Sequence, residues 1–197
     1  GVEQSVSLLG FGCMRFPMKD GEVDTVLSKK MIDYAISKGV NYIDTAWPYH
    51  GGKSELIVRD ILKEYDRESY FLADKLPLWE CNKYEDVERI FHEQLEKCGV
   101  EYFDFYLIHA VNKERLEVTK KLDVIKQLEK LKSEGKIKNI GFSFHDDLET
   151  FKVWADFYKW DFCQIQLNYM DTDHQQGLEG YHILTEKGIP VIIMEPV

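Results

Sequence analysis

The chain of 197 residues contains no run of eighteen or more apolar residues, so no membrane-spanning helix is expected. Residues 1–9 lack a basic region followed by a long apolar stretch, which excludes a secretory signal there and makes a cytoplasmic location the expectation. Basic residues are outnumbered, 25 Lys and Arg against 35 Asp and Glu, giving a net charge of -10. Broad electrostatic binding to nucleic acid or to an anionic membrane is therefore not expected, although a local basic pocket for a phosphorylated cofactor stays open. Cys13, Cys81, Cys98 and Cys163 lie far apart and form no CxxC pair, so neither a metal nor an iron-sulfur cluster is expected within this chain. They read as free thiols of a reducing compartment. Neither GxGxxG nor GxxxxGK[ST] occurs, so the fingerprints of open-sheet nucleotide folds are missing too.

What the chain does contain is an alternation of short apolar runs and amphipathic stretches. Residues 40–44, 70–75, 103–109, 137–143, 162–167 and 190–195 read as buried strands, rich in branched and aromatic side chains. Between them, residues 28–38, 54–65, 84–98, 118–134, 148–158 and 178–187 read as helices. Gly39, Gly99, Gly135 and Gly188 each follow a helical run, where a left-handed residue closes the last turn. Leu122, Ile125, Leu128 and Leu131 share one face of the fourth helix, a stripe for packing against a sheet.

Repeated strand–helix–strand units build a parallel sheet, either closed as a barrel or open and doubly wound. Asp44, Lys75, His109, Ser143 and Asn168 place polar residues at the C-terminal ends of the strands, where the mouth of a barrel gathers its chemistry. The expectation is an α/β fold, a parallel (β/α)8 TIM barrel present to about seven strands, as a single domain over residues 1–197. With a first strand at residues 7–12 the count stops at seven. The barrel is therefore expected to be incomplete at its C-terminus and to leave a parallel edge exposed.

Taken singly, the polar strand-end residues have commonplace readings. Asp44 is a loop or cap carboxylate, Tyr49 a half-buried aromatic, Lys75 a lysine snorkelling to solvent and His109 a satisfied core histidine. Together, on successive strand ends, they make sense as acid catalysis. A free tyrosine titrates near 10, too high for efficient donation at neutral pH. A neighbouring ammonium is expected to lower that value, and a carboxylate keeps the ammonium charged and fixed. Ser54, after the loop that presents Tyr49, is placed to cap the next helix.

The segment Ile43-Asp44-Thr45-Ala46-Trp47-Pro48-Tyr49-His50-Gly51-Gly52-Lys53-Ser54-Glu55, the strand-end Lys75 and the Tyr106-Leu107-Ile108-His109 strand resemble the aldo-keto reductase family. The resemblance runs from Leu8 to the last residue. It implies reduction of an aldehyde or ketone to an alcohol by hydride from a nicotinamide cofactor, NADP(H) with NAD(H) open. Tyr49 would protonate the carbonyl oxygen, Lys75 and Asp44 would tune Tyr49, and His109 would orient the substrate. It also implies a cofactor cradle. Ser143 and Phe144 occupy the place of a Ser-Asn strand end, with His145 able to help. Gln164 matches the glutamine that meets the carboxamide. Cys13 and Met14 lie in the loop that lines the nicotinamide site. Met194 stands where many members carry a stacking aromatic, and Glu195 and Pro196 follow it.

That Met-Glu-Pro ending is similar to a bacterial branch with a ferredoxin-like iron-sulfur segment downstream; no cluster is expected in this chain. The family's pyrophosphate loop and 2′-phosphate site fall beyond Val197, so the isolated chain is expected to bind cofactor weakly and turn over poorly. Trp47, Trp79 and Tyr169 could line an apolar pocket or simply pack. Two other readings compete: a non-catalytic cofactor-binding or sensing relative of the family, and an unrelated phosphate-binding barrel isomerase. Neither the substrate nor the oligomeric state is legible, and the only expected partner is a small carbonyl compound.

Overall fold

The computed structural model of the chain describes residues 5–196; residues 1–4 and 197, which the single-domain reading includes, lie outside the described residues. In chain order the elements are β1 (Phe11–Gly12), β2 (Met18–Lys19), β3 (Glu22–Val23), α1 (Thr25–Ser37), β4 (Tyr42–Asp44), α2 (Ser54–Leu62), β5 (Phe71–Leu76) and α3 (Tyr84–Cys98). Then follow β6 (Phe103–Val111), α4 (Lys113–Lys121), α5 (Val124–Ser133), β7 (Ile137–Phe144), α6 (Leu148–Phe157), β8 (Phe162–Gln166), α7 (Gly177–Glu186) and β9 (Val191–Met194). Short 3-10 turns lie between some of them.

Seven strands form one all-parallel sheet in the order β1-β4-β5-β6-β7-β8-β9, and β2 pairs with β3 as a separate antiparallel hairpin. Four strand steps separate β4 from β8, which in a flat sheet would be about 19 Å. Yet Gln164 Nε2 on β8 lies 3.3 Å from Asp44 Oδ2 on β4. The sheet must therefore curl into the arc of a barrel, with β1 and β9 as its edges. At the open side Arg15, after β1, and Glu195, after β9, come within 3.8 Å. Among the described residues, no helix is long and apolar enough to cross a membrane.

The alternation of side chains along each strand divides the molecule into two layers. Outward-facing residues such as Ile43, Leu72, Ile108, Phe142 and Ile165 join the helices in the main core. Inward-facing Tyr42, Ala73, Phe105, Leu107 and Phe162 form their own apolar cluster. The Phe105 ring meets Tyr42 and Phe162 edge-on at centroid distances of 5.2 and 5.1 Å. Gly141 belongs to this inner layer because Phe162 fills the space beside it: a Cβ there would lie 2.7 Å from the Phe162 carbonyl oxygen. Two residues further along each strand, the next inward position is polar: Asp44, Lys75, His109, Ser143 and Gln164. An apolar floor beneath a polar rim is the physical origin of the mouth.

Several sequence expectations shift. The first strand is two residues long rather than residues 7–12. The 18–23 hairpin was not expected. Helix α1 begins at Thr25, three residues early, because the Asp24 side chain caps it by accepting from Leu27 N–H at 2.9 Å. The expected helix over residues 118–134 is two helices, broken where Asp123 adopts a left-handed φ of 48°. Asp tolerates that conformation through its short polar side chain. Ser54 does not cap α2; its hydroxyl pairs with Thr45 Oγ1 at 2.9 Å and donates to the Cys13 carbonyl at 3.2 Å. Asn168 lies beyond β8, where its side-chain oxygen accepts from Met170 and Asp171 N–H in a turn. The four glycines expected to close helices all have positive φ, between 66° and 91°. All four cysteines are buried and free.

Candidate active site

Lys75 is the hub of the mouth. It ends the inward row of β5, only 1% exposed, and a buried ammonium demands partners. Its Nζ donates to Asp44 Oδ1 at 2.5 Å, to the Thr45 carbonyl at 2.8 Å and to the Tyr49 hydroxyl at 3.3 Å. All three acceptors come from β4 and the loop after it, so the register of β4 against β5 sets the geometry. Burial works against the lysine's charge, but Asp44 and then Tyr49 more than offset it and hold the pKa above the ordinary value. The ammonium stays charged throughout the neutral range.

Tyr49 is the one place where the electrostatics differ from expectation. The sequence predicts a phenol made more acidic by Lys75. In the structure burial is the larger effect, opposed by the Lys75 charge and reinforced by Asp44, and the phenol is raised above its ordinary value. Tyr49 is therefore a protonated group at neutral pH, with a cation 3.3 Å from its oxygen to receive a developing negative charge.

His109 stands across the mouth, its ring edge-on to Tyr49 at 6.1 Å. Burial, followed by the positive charges of Lys75 and Arg115 and by His145, pushes its pKa down to about 2. The imidazole is neutral and has one N–H to give. Its Nδ1 is buried without a hydrogen-bond partner. Trp79 packs on the open side of His109 at 5.2 Å and is 41% exposed, which puts it at the lip of the cavity. Trp47 is held instead by Lys97, whose ammonium sits 3.4 Å over its ring. Tyr169 is 78% exposed and, among the described residues, makes no ring contact with the mouth.

The remaining expected residues divide cleanly. Ser143 is buried on the inner face, its Oγ accepting Ala110 N–H at 2.8 Å. Beside it in register, Gln164 donates to Asp44, while its Oε1 is buried and unpartnered. Ser143, Gln164, Asp44, Lys75, Tyr49 and His109 thus meet at one mouth. Phe144 does not join them: the pleat turns it outward onto Phe151, at 5.0 Å, within the helix-side core. The Cys13 thiol is likewise fully buried in that core. Met14 is 53% exposed at the rim, and Met194, Glu195 and Pro196 lie at the edge strand and just beyond it.

Three features were not found from sequence. The Thr45 carbonyl, a lysine ligand, has no side-chain signature. Gln166, two residues beyond Gln164 on the same face, has a second buried and unpartnered Oε1. Ala110, directly after His109, adopts φ 47° at an irregularity in β6, and only its neighbours Ser143 and Arg115 explain how that conformation is held. Among the described residues, no three His, Cys, Asp or Glu side chains gather into a metal-holding group.

Comparison with known proteins gives the following. The sequence model of the Aldo/keto reductase family matches residues 8–197. A probable aldo-keto reductase of Glycine max is 34% identical over an alignment of 119 residues that covers 54% of this chain and 34% of that protein. The match thus spans about a third of that relative's length. Among solved structures, an aldo-keto reductase of Pseudomonas aeruginosa superposes with a TM-score of 0.80 at 19% identity, over 98% of this chain and 74% of the other. A Bombyx mori aldo-keto reductase in complex with NADP gives 0.75 at 21% identity, over 98% and 63%. At those identities the superpositions speak for the barrel fold.

Proposed function

The chain belongs to the aldo/keto reductase family, and from that premise we propose that it reduces an aldehyde or ketone to an alcohol with a nicotinamide cofactor, NADP(H) or NAD(H). The observation that carries the reading is the Lys75 ammonium bridging the Asp44 carboxylate and the Tyr49 hydroxyl in a nearly dry mouth.

The residues present suit the nicotinamide end of such a cofactor. Its carboxamide carries two N–H donors and a carbonyl acceptor, and the buried Gln164 Oε1 has no donor among the described residues. The Ser143 hydroxyl accepts from Ala110 and keeps its own proton to give. Gln164 and Ser143 would hold the carboxamide, and the rim position of Met194 would place a polarisable thioether near the ring. When bound, the reduced nicotinamide supplies the hydride.

The protein's own part is to manage the carbonyl oxygen. His109, neutral, donates a hydrogen bond that holds and polarises it. As negative charge builds there, the Tyr49 O–H gives up its proton. The resulting phenolate oxygen lies beside the Lys75 ammonium, which was placed beforehand and needs no reorganisation. Asp44 and the Thr45 carbonyl fix that ammonium, so its charge is aimed rather than mobile. The raised pKa of the resting phenol guarantees that the proton is present at neutral pH; the lysine acts on the product of its departure.

The test is the Tyr49→Phe protein, assayed by cofactor oxidation across a panel of aldehydes and ketones. Loss of the hydroxyl removes the proton donor while leaving the ring's packing, so the rate should fall by about 10²–10⁴-fold. A sensing protein that keeps the mouth without turnover would show no carbonyl-dependent oxidation before the substitution either.

A further inference from the structure

Arg115 occupies an unexpected position. It lies in the first turn of α4, where the N-terminal end of the helix dipole disfavours a cation. Of the chain's five arginines, Arg15, Arg59, Arg67 and Arg89 each have a carboxylate within 4.0 Å. Arg115 has none among the described residues, in a chain where acids outnumber bases by 35 to 25. It is half-buried, and burial is what lowers its pKa, opposed only by Glu114.

Its surroundings point toward the catalytic mouth. The guanidinium carbon lies 5.0 Å over the Trp79 ring, and Trp79 in turn packs against His109. One guanidinium nitrogen donates to the Ala110 carbonyl, immediately after His109. That contact uses one of five N–H donors, leaving four without a partner among the described residues. Lys75, the other cation facing His109, is fully engaged by Asp44, Thr45 and Tyr49.

We propose that Arg115, its guanidinium over the Trp79 ring at the lip of the mouth, selects carbonyl substrates carrying an anionic oxygen group, a carboxylate or a phosphate, at the end remote from the carbonyl. The proposal rests on the reductase reading for the carbonyl end. A guanidinium fork on an aromatic plate is rigid and suits two-point contact with such groups. The competing role is structural: Arg115 braces the left-handed Ala110 turn.

The experiment uses three para-substituted benzaldehydes: 4-formylbenzoate, 4-formylphenyl phosphate and the neutral methyl 4-formylbenzoate. With the wild-type chain, kcat/KM for at least one anion should exceed that for the ester, and the larger anion value identifies carboxylate or phosphate as the group selected. Arg115→Gln should cut the anion-to-ester ratio by roughly 10- to 100-fold, the worth of a charge-assisted pair. Arg115→Lys should cut it less. Calorimetric titration of 4-formylbenzoate and of 4-formylphenyl phosphate into both proteins gives a readout without turnover. If no compound is reduced but binding of either anion depends on Arg115, the anion site stands on binding alone, independent of the reductase reading. If all three are reduced and Arg115→Gln lowers them alike, or the wild type shows no preference for charge, the selectivity proposal is overturned and Arg115 braces the turn. If neither anion's binding changes in Arg115→Gln, the proposal is likewise overturned. Circular dichroism of both variants guards against misfolding.

Discussion

Behind the Lys75 ammonium, on the helix side of β5, the buried Asp74 carboxyl receives Lys75 N–H at 2.8 Å and sits near Glu55 and Cys98. Burial and then the Glu55 charge push its pKa well above the ordinary value. For an acid whose folded pKa is raised, the associated stability is whole below the unfolded value, about 3.9, and is lost as pH rises through the folded one. Asp74→Asn keeps the acceptor for Lys75 N–H and never ionises. Its stability relative to wild type should therefore improve as pH rises from 5 to 8. Urea unfolding at pH 5, 6, 7 and 8 checks this; an equal loss at every pH would mean that the carboxyl itself, rather than its protonation, matters. At this scale the sequence was most readable where one residue type needs another. A lysine that closes an apolar strand must reach solvent or find a partner, and Asp44 and Tyr49 are the nearby candidates. The sign of the Tyr49 shift was not readable, because it is a contest between burial and one cation, and burial is known only once the walls are in place. Arg115 was overlooked because its significance lies in a partner it lacks.

At the scale of elements, the period-two rule did most of the positioning. Given that Ser143 faces inward, Phe144 must face the helices, and only the family's Ser-Asn pattern suggested otherwise. The same rule forces Gly141 into the inner floor. Gly141→Ala should destabilise the protein by about 1–3 kcal/mol, since its Cβ would press on the Phe162 ring and carbonyl, and a backbone oxygen cannot step aside. Thermal or urea unfolding measures it, and a change under about 0.5 kcal/mol would show that β7 and β8 have room to separate. Helix ends marked by glycine were legible for a mechanical reason, the left-handed closing residue. The break at Asp123 was not, because a non-glycine left-handed residue leaves no mark in a continuous leucine stripe: Leu122, Leu128 and Leu131 are buried on both sides of it. The two-residue β1 and the 18–23 hairpin are too short for any periodicity to register.

For the molecule as a whole, the parallel order of strands and the convergence of their ends followed from repeated strand–helix units and from polar residues closing the strands. What sequence order does not give is curvature. The distance between Asp44 and Gln164, 120 residues apart, is the direct sign that the sheet wraps far enough for β4 and β8 to face one another across the mouth. The proposed chemistry depends on that wrapping, because the proton donor, its cation and the carboxamide ligands come from different strands. The most direct measurement is the titration of Tyr49, followed by 13C NMR with ζ-labelled tyrosine, in the wild type and in Lys75→Met. The account predicts a phenol that titrates above 10 in the wild type and higher still once the ammonium is gone. A Tyr49 titration unmoved by loss of Lys75 would contradict it, for the cation would then have no hold on the proton it is meant to release.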